Sequence, residues 1–378
     1  MATRLVPIDG PRARKAFVDV PRRLLAHLPA YVPPLTGDQC RRLDPRRNLH
    51  VLDHAELAMW IAERDGRPVG RVSAAVDREL LQVEEVPTGV FGHWLAADDE
   101  AATVLAEAAE GFLRERGMAR MRGPIELSTN HTCGLQVSHF DVVPMIDMNQ
   151  HPEGQEALLL ARGLTKAKDL FAIRLDAHKG NLDDLDRIAA ISERRYPCAV
   201  RELDLRHFAS ELGTLFTLYR QAWQANWGFV PLTEAEFRHM AKDFGRLLKP
   251  GMAWVAEREG TPLGFVAAVP DLNPAIRRCD GRLWPLGFLK VLKELRRPRN
   301  VRVLTLGLVP EARNKGLDAR LVNAIGWGIR RYPCVIETEV SWILEDNRGM
   351  LGPIERIGFL HAPIVYRIYE KDLAPAAP

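Results

Sequence analysis

Residues 306–322 read LGLVPEARNKGLDARLV, and this stretch changes character twice within a short span. The run TLGLV ends at Pro310 and is typical of a buried strand, whereas a helical pattern starts near Leu317. Between them lies ARNKG, with two cations, an asparagine and a glycine. A helix start presents free backbone N–H groups and a partial positive charge. The stretch therefore predicts a strand, a turn and a phosphate-binding helix N-terminus, although Asp318 in the first turn would repel a phosphate.

The composition is that of an ordinary globular protein. The chain has 378 residues, which suggests two domains, and its net charge of +3 is too small to indicate nucleic-acid binding. Five cysteines without a CxxC pair argue against a disulfide framework or a structural zinc, and we expect no metal ion. The start, MATRLVPIDGPRARK, lacks the apolar segment of a signal peptide, and no apolar run is long enough for a membrane span. We therefore expect a cytoplasmic protein.

The chain repeats itself. Residues 60–70 read WIAERDGRPVG and residues 254–264 read WVAEREGTPLG, with seven of eleven positions identical. Each reads as strand, two-residue turn and strand. The following segments repeat in the same order: YVPPLT (31–36) with GFVPLT (228–233), and ARGLTKAKDLFAIRL (161–175) with RIGFLHAPIVYRIYE (356–370). This pattern indicates a duplication, with one copy at 1–177, a linking helix at 178–197 and a second copy at 198–378.

Strands and helices alternate irregularly in the second copy. We expect strands at 198–203, 301–309, 335–344 and 362–369, a hairpin at 252–269, and helices at 206–224, 233–247, 317–331 and 347–357. This order predicts an α/β fold of the α+β type, with a mixed sheet.

This order, with its loop after the fourth strand, resembles the GNAT superfamily of acyl-CoA-dependent N-acyltransferases. The pyrophosphate loop of that family reads Gln/Arg-x-x-Gly-x-Gly/Ala. Arg313 and Gly316 match its arginine and central glycine, whereas Asp318 departs from it. Asn347, in SWILEDNRGMLGPIERIGF (341–359), occupies the asparagine position after the fifth strand. The chain most resembles a group of bacterial tandem GNAT proteins, some of which are linked to ceramide formation.

The resemblance implies an acyl thioester, on coenzyme A or acyl carrier protein, as co-substrate. Gly316 allows close backbone approach, and Asn314 tolerates a left-handed conformation, so the turn can present its N–H groups to a pyrophosphate. Asp318 could cap the helix locally. By resemblance, backbone groups around Leu308 and Val309 pair with pantetheine. The predicted cofactor-binding residues are Leu308, Val309, Arg313, Asn314, Lys315, Gly316, Leu317, Asp318 and Asn347.

The first copy lacks the loop. Its corresponding stretch is HWLAADDEAATVLAEAAEGFL, in which Asp98, Asp99 and Glu100 open the helix and no glycine precedes it. These acids suit a helix N-terminus but would repel a pyrophosphate. We therefore expect one thioester site per chain, in the second copy.

The candidate catalytic side chains lie on one strand. In VIETEVSWILEDN, Glu337, Glu339 and Ser341 alternate onto one face, and Glu339 is the preferred base for deprotonating the amine. A solvated strand face is an equally good interpretation of the pattern. Many family members place a tyrosine seven residues after the motif asparagine, but position 354 is isoleucine. The thiolate acid is then absent, unnecessary, or supplied by Tyr366 or Tyr369.

Two further segments suggest how substrates bind. NWGFVPLT lies where the family's first helices border the acceptor, so Trp223, Asn226, Trp227 and Phe229 are candidate substrate-binding residues, although such aromatics also pack cores. His131 and Cys133 in STNHTCGL could form a nucleophile and base, but burial is the commoner fate of a lone cysteine.

A basic amphipathic segment spans 284–302. Lys290, Lys293, Arg296, Arg297, Arg299 and Arg302 accompany a single acid, Glu294, and Leu289, Leu292 and Leu295 recur every three residues beside Trp284 and Phe288. Such helices bind anionic membrane surfaces or acidic partners such as acyl carrier protein. A core-facing helix with a solvated basic side is the alternative.

These observations predict an N-acyltransferase that acts on an amine, with a long-chain base as one candidate acceptor, at the cytoplasmic side of the membrane or in the cytosol. The alternatives are an N-acetyltransferase for a small molecule or peptide, and a non-catalytic acyl-CoA-binding regulator, which Asp318 and Ile354 favour. A tRNA-dependent aminoacyl transferase of tandem GNAT units is a further alternative, which the low net charge and the Arg313-x-x-Gly316 loop disfavour.

Overall fold

The computed structural model describes residues 2–179 and 182–373. Its strands are β1 (Arg4–Pro7), β2 (Ala55–Arg64), β3 (Arg67–Asp77), β4 (Thr88–Ala96), β5 (Arg120–Gly123), β6 (Leu135–Gln136), β7 (Thr165–Asp176), β8 (Ala199–Glu202), β9 (Ala253–Arg258), β10 (Thr261–Pro270), β11 (Asn300–Leu308), β12 (Glu337–Leu344) and β13 (Ile364–Asp372). Its α-helices are α1 (Gly10–Leu25), α2 (Thr36–Arg42), α3 (Leu49–Asp53), α4 (Arg78–Val83), α5 (Asp99–Glu115), α6 (Gln155–Leu160), α7 (Leu182–Arg195), α8 (Phe208–Trp223), α9 (Glu234–Gly245), α10 (Asn273–Arg278), α11 (Gly287–Arg296), α12 (Leu317–Arg330) and α13 (Arg348–Ile357). Among the described residues, no helix has the length and apolar character to cross a bilayer.

All the strands belong to one sheet. The strand order is β1-β2-β3-β4-β5-β13-β7-β12-β11-β10-β9-β8, and β6 pairs with β13 outside this path. Two neighbouring pairs are parallel, β4 with β5 and β11 with β12, and the others are antiparallel. The expected mixed α/β fold is thereby confirmed.

The duplicated hairpin has the same geometry in both copies. Residues 65–66 and 259–260 form two-residue turns in which every residue has a positive φ, the conformation that joins twisted antiparallel strands most readily. Gly70 and Gly264 also correspond, because a Cβ on either would lie 2.6 Å from a carbonyl oxygen of the next strand. Sequence identity at these positions therefore reflects close backbone approach.

The last strand of each half lies beside the other half. β7 closes the first half in sequence but pairs with β12, and β13 closes the second half but lies between β5 and β7. The sheet therefore runs without a break through both halves. Sequence comparison cannot detect this exchange, because β7 and β13 are equivalent strands of the repeat.

Long helices cover the sheet in both halves. Leu317, Leu321, Ile325 and Ile329 recur along one side of α12 and are at most 4% exposed, so they form the core of the second half with β9, β10 and β11. Burial of each such side chain contributes about 1.5–3 kcal/mol. In the first half α5 covers β2, β3 and β4 in the same way.

The strands and helices expected in the second copy are present within a few residues of their predicted bounds. The division into copies at 1–177 and 198–378 stays a prediction, and the exchanged strands cross it. The predicted linking helix at 178–197 contains α7, while residues 180–181 lie outside the described residues, as do residues 374–378 of the predicted second copy.

Candidate functional site

A gap opens between β11 and β12. The two strands pair in parallel from Asn300↔Glu337 to Val303↔Val340, and both then continue without pairing to each other. A register shift in the β10–β11 ladder bypasses Leu304, which marks a bulge at the start of the gap. The edge of β11 from Leu304 to Leu308 therefore faces the gap instead of a neighbouring strand.

An apolar pocket adjoins this gap. It lies between α12 and α13, over β7, β11 and β12, and is partly open to solvent. Its lining is mostly aliphatic and includes Leu306, Val322, Ile325, Val340, Met350, Ile354 and Ile357. The isoleucine at position 354, where many family members have tyrosine, is thus a buried part of an apolar wall.

The predicted turn lies at the N-terminus of α12. Asn314 and Gly316 have φ values of 59° and 79°, as expected for a turn that folds its N–H groups inward. Leu317 is fully buried and anchors the first helical turn. Among the described residues no side-chain hydrogen bond caps α12, so the expected cap by Asp318 is not formed. The uncapped N–H groups remain available for an anion.

The two cations of the turn differ in their contacts. Arg313 donates from Nη2 to the carbonyl oxygen of Ala222 at 2.7 Å, which holds the loop against α8. Lys315 is exposed, with Nζ 4.3 Å from the centroid of the Tyr196 ring. Its carbonyl oxygen accepts a hydrogen bond from Ser192 of α7 at 2.8 Å. Arg313 thus shapes the turn, and Lys315 supplies the accessible charge.

The equivalent helix N-terminus in the first half is already occupied. Asp98 caps α5 by accepting from the Ala101 N–H at 3.0 Å, and its carboxylate also pairs with Arg64 at 2.7 Å. Asp99 pairs with Arg162 at 2.7 Å. These contacts use the groups that would otherwise bind an anion, which agrees with the expectation of a single site.

A glutamine side chain also fills the strand edge of the first half. Gln155 of α6 accepts from the N–H of Ala96 at 3.0 Å and donates to its carbonyl oxygen at 2.8 Å. Ala96 pairs with Gly70 as Leu308 pairs with Gly264, so the two positions correspond. At Leu308, the described side chains supply only a long contact of 3.4 Å from Arg313 Nε. Sequence reasoning missed this difference.

The predicted catalytic residues share one face of β12, as expected, but they form an ion-pair network in which Glu339 and Ser341 are buried and Glu337 is half-buried. Glu339 accepts from Arg174 Nε at 2.6 Å and from Ser341 Oγ at 2.8 Å, which occupies both of its oxygens. Arg174 also binds Glu337 at 2.9 Å, and Arg302 donates to Ser341 at 2.8 Å. These side chains lie on the face of β12 opposite to Thr338 and Val340, which line the apolar pocket.

The remaining motif residues have structural contacts. Asn347 is the N-cap of α13, and its side chain accepts from the Met350 N–H at 3.2 Å. Tyr366 is 1% exposed, and burial raises its pKa, so it stays protonated. Tyr369 donates to Glu156 at 2.7 Å. Tyr366 lies near the Glu339 network, whereas Tyr369 belongs to the core of the first half.

The four predicted acceptor residues separate into two places. Trp223 packs over Gly307, where a Cβ would lie 2.2 Å from the indole, and Phe229 joins it around Tyr219. Asn226 forms the turn between them by donating its backbone N–H to the Trp223 carbonyl at 2.8 Å. Trp227 instead lies beneath Arg122 and Lys168 over the centre of the sheet.

The segment STNHTCGL supports this aromatic loop. Thr129 and Asn130 donate to the carbonyl oxygens of Gly228 and Val230 at 2.6 and 2.7 Å. Burial raises the pKa of Cys133 to about 12 and lowers that of His131 to about 3, so the thiol is unreactive and the imidazole is neutral. The expected burial of Cys133 is confirmed.

The first half contains a second cavity that sequence reasoning missed. It lies between α1, α2, β3 and β4, is partly open to solvent, and has residues of α10 from the second half in its lining. The buried Tyr31 Oη, Arg71 Nε and Trp94 Nε1 atoms, all on lining residues, have no partner among the described residues. Burial raises the pKa of Glu126, also in the lining, to about 7. The wall of the cavity therefore carries three hydrogen-bond donors that are unpartnered within the described part of the chain.

The expectation of no metal ion stays a prediction, but the first half contains a cluster of metal-ligating side chains. His50, His54 and Asp77 are buried, and one potential ligand atom of each lies within 4.8 Å of the others. The sequence carries a signal that our reasoning overlooked, since His50 and His54 have the i, i+4 spacing of a helical metal site. Asp77 is not predictable in this way, because it joins the histidines only in the folded sheet.

The segment 284–302 includes α11 and exposes apolar side chains. Trp284 is 84% exposed, Leu286 is 64% exposed and Leu289 is 51% exposed. Glu294 is buried against Arg278 at 2.6 Å, while the basic residues Lys290, Lys293, Arg296 and Arg297 are exposed. The alternative interpretation, in which the apolar side of this segment faces the core, therefore does not hold for Trp284, Leu286 and Leu289.

Comparison with known proteins gives relatives across the whole chain. No protein-family model matches it. The chain is 35% identical over 385 residues to the bacterial ceramide synthase of Caulobacter vibrioides, which covers 98% of this chain and 97% of that one. It is 30% identical over 367 residues to the protein YghO of Escherichia coli, which covers 95% and 93% of the two chains.

Solved structures share the fold. A tandem GNAT protein from the clavulanic acid biosynthesis pathway matches with a TM-score of 0.59 at 14% identity, covering 99% of this chain and 100% of that one. A GCN5-related N-acetyltransferase from Sphaerobacter thermophilus matches with a TM-score of 0.54 at 10% identity, covering 99% and 97%. The chain therefore belongs to the family of the bacterial ceramide synthase and YghO, and it has the fold of a tandem GNAT protein.

Proposed function

We propose that this enzyme moves an acyl group from a thioester, carried by coenzyme A or by acyl carrier protein, to the amine of a long-chain base. The observation that carries the proposal is the asymmetry between the halves. The second half combines an open strand edge at Leu308, an apolar pocket and an uncapped helix N-terminus. The first half fills the same positions with Gln155 and Asp98. The relative named a ceramide synthase supports the choice of acceptor.

The donor would bind through the backbone. Its pyrophosphate would accept from N–H groups of residues 314–317, with Lys315 adding charge. Its pantetheine arm would pair with the free edge of β11 at Leu308 and Val309, beside the apolar pocket. Acyl carrier protein has the same arm but no nucleotide, so the loop would matter less for that donor.

The chemistry requires few protein groups. The free amine attacks the thioester carbonyl carbon, a C–N bond forms, the C–S bond breaks, and the sulfur leaves as a thiolate that takes a proton. The nitrogen loses one proton to a base. Backbone N–H groups of β11 past the bulge at Leu304 would stabilise the oxyanion intermediate.

The predicted base, Glu339, has competing roles. Its oxygens are held by Arg174 and Ser341 and it is 1% exposed, so it would accept a proton only through an ordered water or after releasing a partner. One variant, measured for both its pH profile and its thermal stability, separates these roles. Glu339→Gln should lower kcat with a changed pH profile if Glu339 is the base. A purely structural role predicts loss of thermal stability with an unchanged pH profile.

Titration calorimetry with acetyl-CoA, palmitoyl-CoA and acyl carrier protein carrying a palmitoyl group tests the donor site. We expect binding of a long acyl donor and, with a sphingoid base added, an N-acyl product by mass spectrometry. Val322→Trp should weaken binding of every acyl-CoA at least tenfold, because Val322 lines the pocket. Val104→Trp is the matched control, since Val104 has the same place in α5 relative to the helix N-cap.

Other outcomes identify the alternatives. Turnover with acetyl-CoA and small amines or peptides, but not with long-chain bases, would indicate an N-acetyltransferase. Thioester binding without release of free thiol across an amine panel would indicate a regulator. No binding of any thioester would overturn the proposed donor site.

We also propose that the segment 284–302 attaches the enzyme to an anionic bilayer. Its exposed Trp284, Leu286 and Leu289 provide apolar contacts, and the neighbouring lysines and arginines match the charge of anionic lipids. An acidic carrier protein is the other candidate partner, but it would not require so much exposed apolar surface. Attachment would give access to a lipid acceptor.

Vesicle sedimentation tests this surface. Binding to vesicles with anionic phosphatidylglycerol should exceed binding to neutral vesicles, and Leu289→Asp should reduce it. Leu160→Asp is the matched control, because Leu160 is 49% exposed on α6 of the other half. Equal binding by both variants would contradict membrane attachment here, and binding only to acyl carrier protein would assign the surface to that partner.

A further inference from the structure

A closed cluster of two histidines and two carboxylates lies apart from the thioester pocket. His50 and His54 come from α3 and its C-cap, Asp77 ends β3, and Glu236 lies in the first turn of α9. Each of the four residues is at most 5% exposed. The cluster joins three residues of the first half to one of the second.

Three of these side chains converge on one point. His54 Nδ1 lies 2.7 Å from Asp77 Oδ1, and His50 Nε2 lies 3.3 Å from Asp77 Oδ2. The His50 Nε2 and Asp77 Oδ2 atoms are fully buried, and neither has a hydrogen bond of good geometry to a described residue. Two imidazole nitrogens and a carboxylate oxygen within 4.8 Å of one another need little movement to surround a small cation.

The fourth residue contacts the opposite edges of the two rings. Glu236 Oε1 lies 3.1 Å from His50 Nδ1 and 3.0 Å from His54 Nε2. Its other oxygen accepts from the backbone and the hydroxyl of Thr233 at 2.8 Å, so the carboxylate is fixed. Histidines that bind a metal commonly donate their second ring N–H to such a carboxylate, which fixes the tautomer.

The charge of the cluster also favours a cation. With neutral imidazoles the two buried carboxylates carry two negative charges. Burying these charges without a counter-ion costs free energy, and a divalent ion would balance them. Imidazole with carboxylate is a donor set for zinc and its neighbours, whereas calcium and magnesium prefer oxygen ligands. Without a metal, the imidazoles must instead hold the balancing protons.

We propose that His50, His54 and Asp77 bind one divalent transition-metal ion, with zinc the best fit, and that Glu236 orients both imidazoles from the second half. The ion would be structural, because the site lies apart from the apolar pocket between α12 and α13. It joins the two halves through α3, β3 and α9. Nothing in this proposal depends on the acyl donor or the acceptor.

Metal analysis of the untagged full-length protein tests the site. After dialysis against a weak chelator, we expect about one zinc per chain by plasma mass spectrometry. Cobalt exchanged into the apo-protein should give visible d–d absorption. His54→Ala should abolish both signals, whereas His139→Ala, at the half-buried stacked pair with His361, should retain them. Glu236→Gln should keep the ion but weaken its affinity about 10–100-fold.

Thermal unfolding gives an independent readout. Zinc should raise the Tm of the apo-protein, and it should not raise that of Asp77→Asn. Three results together would overturn the site: far less than one metal ion per chain, no cobalt absorption, and no effect of zinc on Tm. The four residues would then be a buried ion-pair network. Acyl-CoA binding by the same protein sample would show that this failure is separate from the proposed enzyme function.

Discussion

A few side chains distinguish the two halves at the proposed thioester site. In the first half, Gln155 bonds to the backbone of Ala96 and Asp98 caps the N-terminus of α5, so the groups equivalent to the proposed donor site are already paired. The second half has Gly316 at the N-cap and no capping side chain. The asymmetry therefore depends on a few side chains, although the backbone of both halves is alike.

Asp318 has opposite effects on stability and binding. An acid in the first turn stabilises the helix by about 0.3–1 kcal/mol, but its charge opposes a pyrophosphate. We expect Asp318→Asn to lower Tm slightly while raising acyl-CoA affinity about two- to fivefold. Calorimetry and thermal unfolding of the same preparation measure both quantities. A weaker affinity would mean that Asp318 contacts the donor favourably.

Glu126 makes stability depend on pH. Burial raises its pKa to about 7 from the ordinary 4.5, so the folded protein holds a proton that the unfolded chain has lost. Its contribution to stability is therefore complete below about pH 4.5 and decreases as the pH rises to about 7. The total loss of unfolding free energy between these two pH values is at most about 3 kcal/mol.

A neutral replacement should remove this dependence. We expect Glu126→Gln to unfold at a higher temperature than the wild type at pH 8, with little difference at pH 5. Thermal unfolding at both pH values checks the sign. A larger advantage at pH 5 would show that Glu126 is ionised in the folded protein.

At the scale of elements, α7 shapes the loop that precedes α12. Ser192 bonds to the carbonyl of Lys315, and a Cβ on Gly316 would lie 2.9 Å from the Ser192 Cβ. Asn323 and Trp327 of α12 donate to Asp186 at 2.8 and 2.9 Å. The helix between the copies thus packs along α12 and does more than connect them.

Gly316→Ala should therefore be destabilising for two reasons. The positive φ of 79° strains an alanine, and the new Cβ crowds α7, so we expect a loss of about 1–3 kcal/mol. Adding Ser192→Gly should recover the stability lost through the clash with α7, but not the stability lost through backbone strain at position 316. Denaturant unfolding of the single and double variants measures the coupling, and strictly additive effects would exclude the clash.

At the scale of the molecule, the exchanged strands make the halves interdependent. β13 supplies pairing partners to β5 and β7, and Arg174 of β7 binds two acids of β12. We expect one cooperative unfolding transition in scanning calorimetry, with a calorimetric enthalpy close to the van't Hoff value. Two separate transitions would show that each half is stable alone.

Much of the fold was predictable from local sequence. The hairpins at 60–70 and 254–264, the strand–turn–helix at 306–322 and most helix bounds follow from periodicity and turn chemistry, which act over a few residues. The motif around Arg313 and Gly316 pointed to the family, and its role in binding a donor stays a prediction. The basic segment 284–302 was recognisable from the sequence. The sequence did not predict whether its apolar side chains are buried or exposed.

The sequence by itself determined the duplication, the elements and the asymmetric loop, because these depend on neighbouring residues and on comparison of the two copies. Only the tertiary structure decided that β7 and β13 exchange places, that Gln155 fills the edge of β4, and that Glu339 is clamped by Arg174. It also decided that Asp77 and Glu236 meet two histidines. These contacts join residues that are far apart in sequence. They form only when the strands pair and the helices pack across the whole sheet.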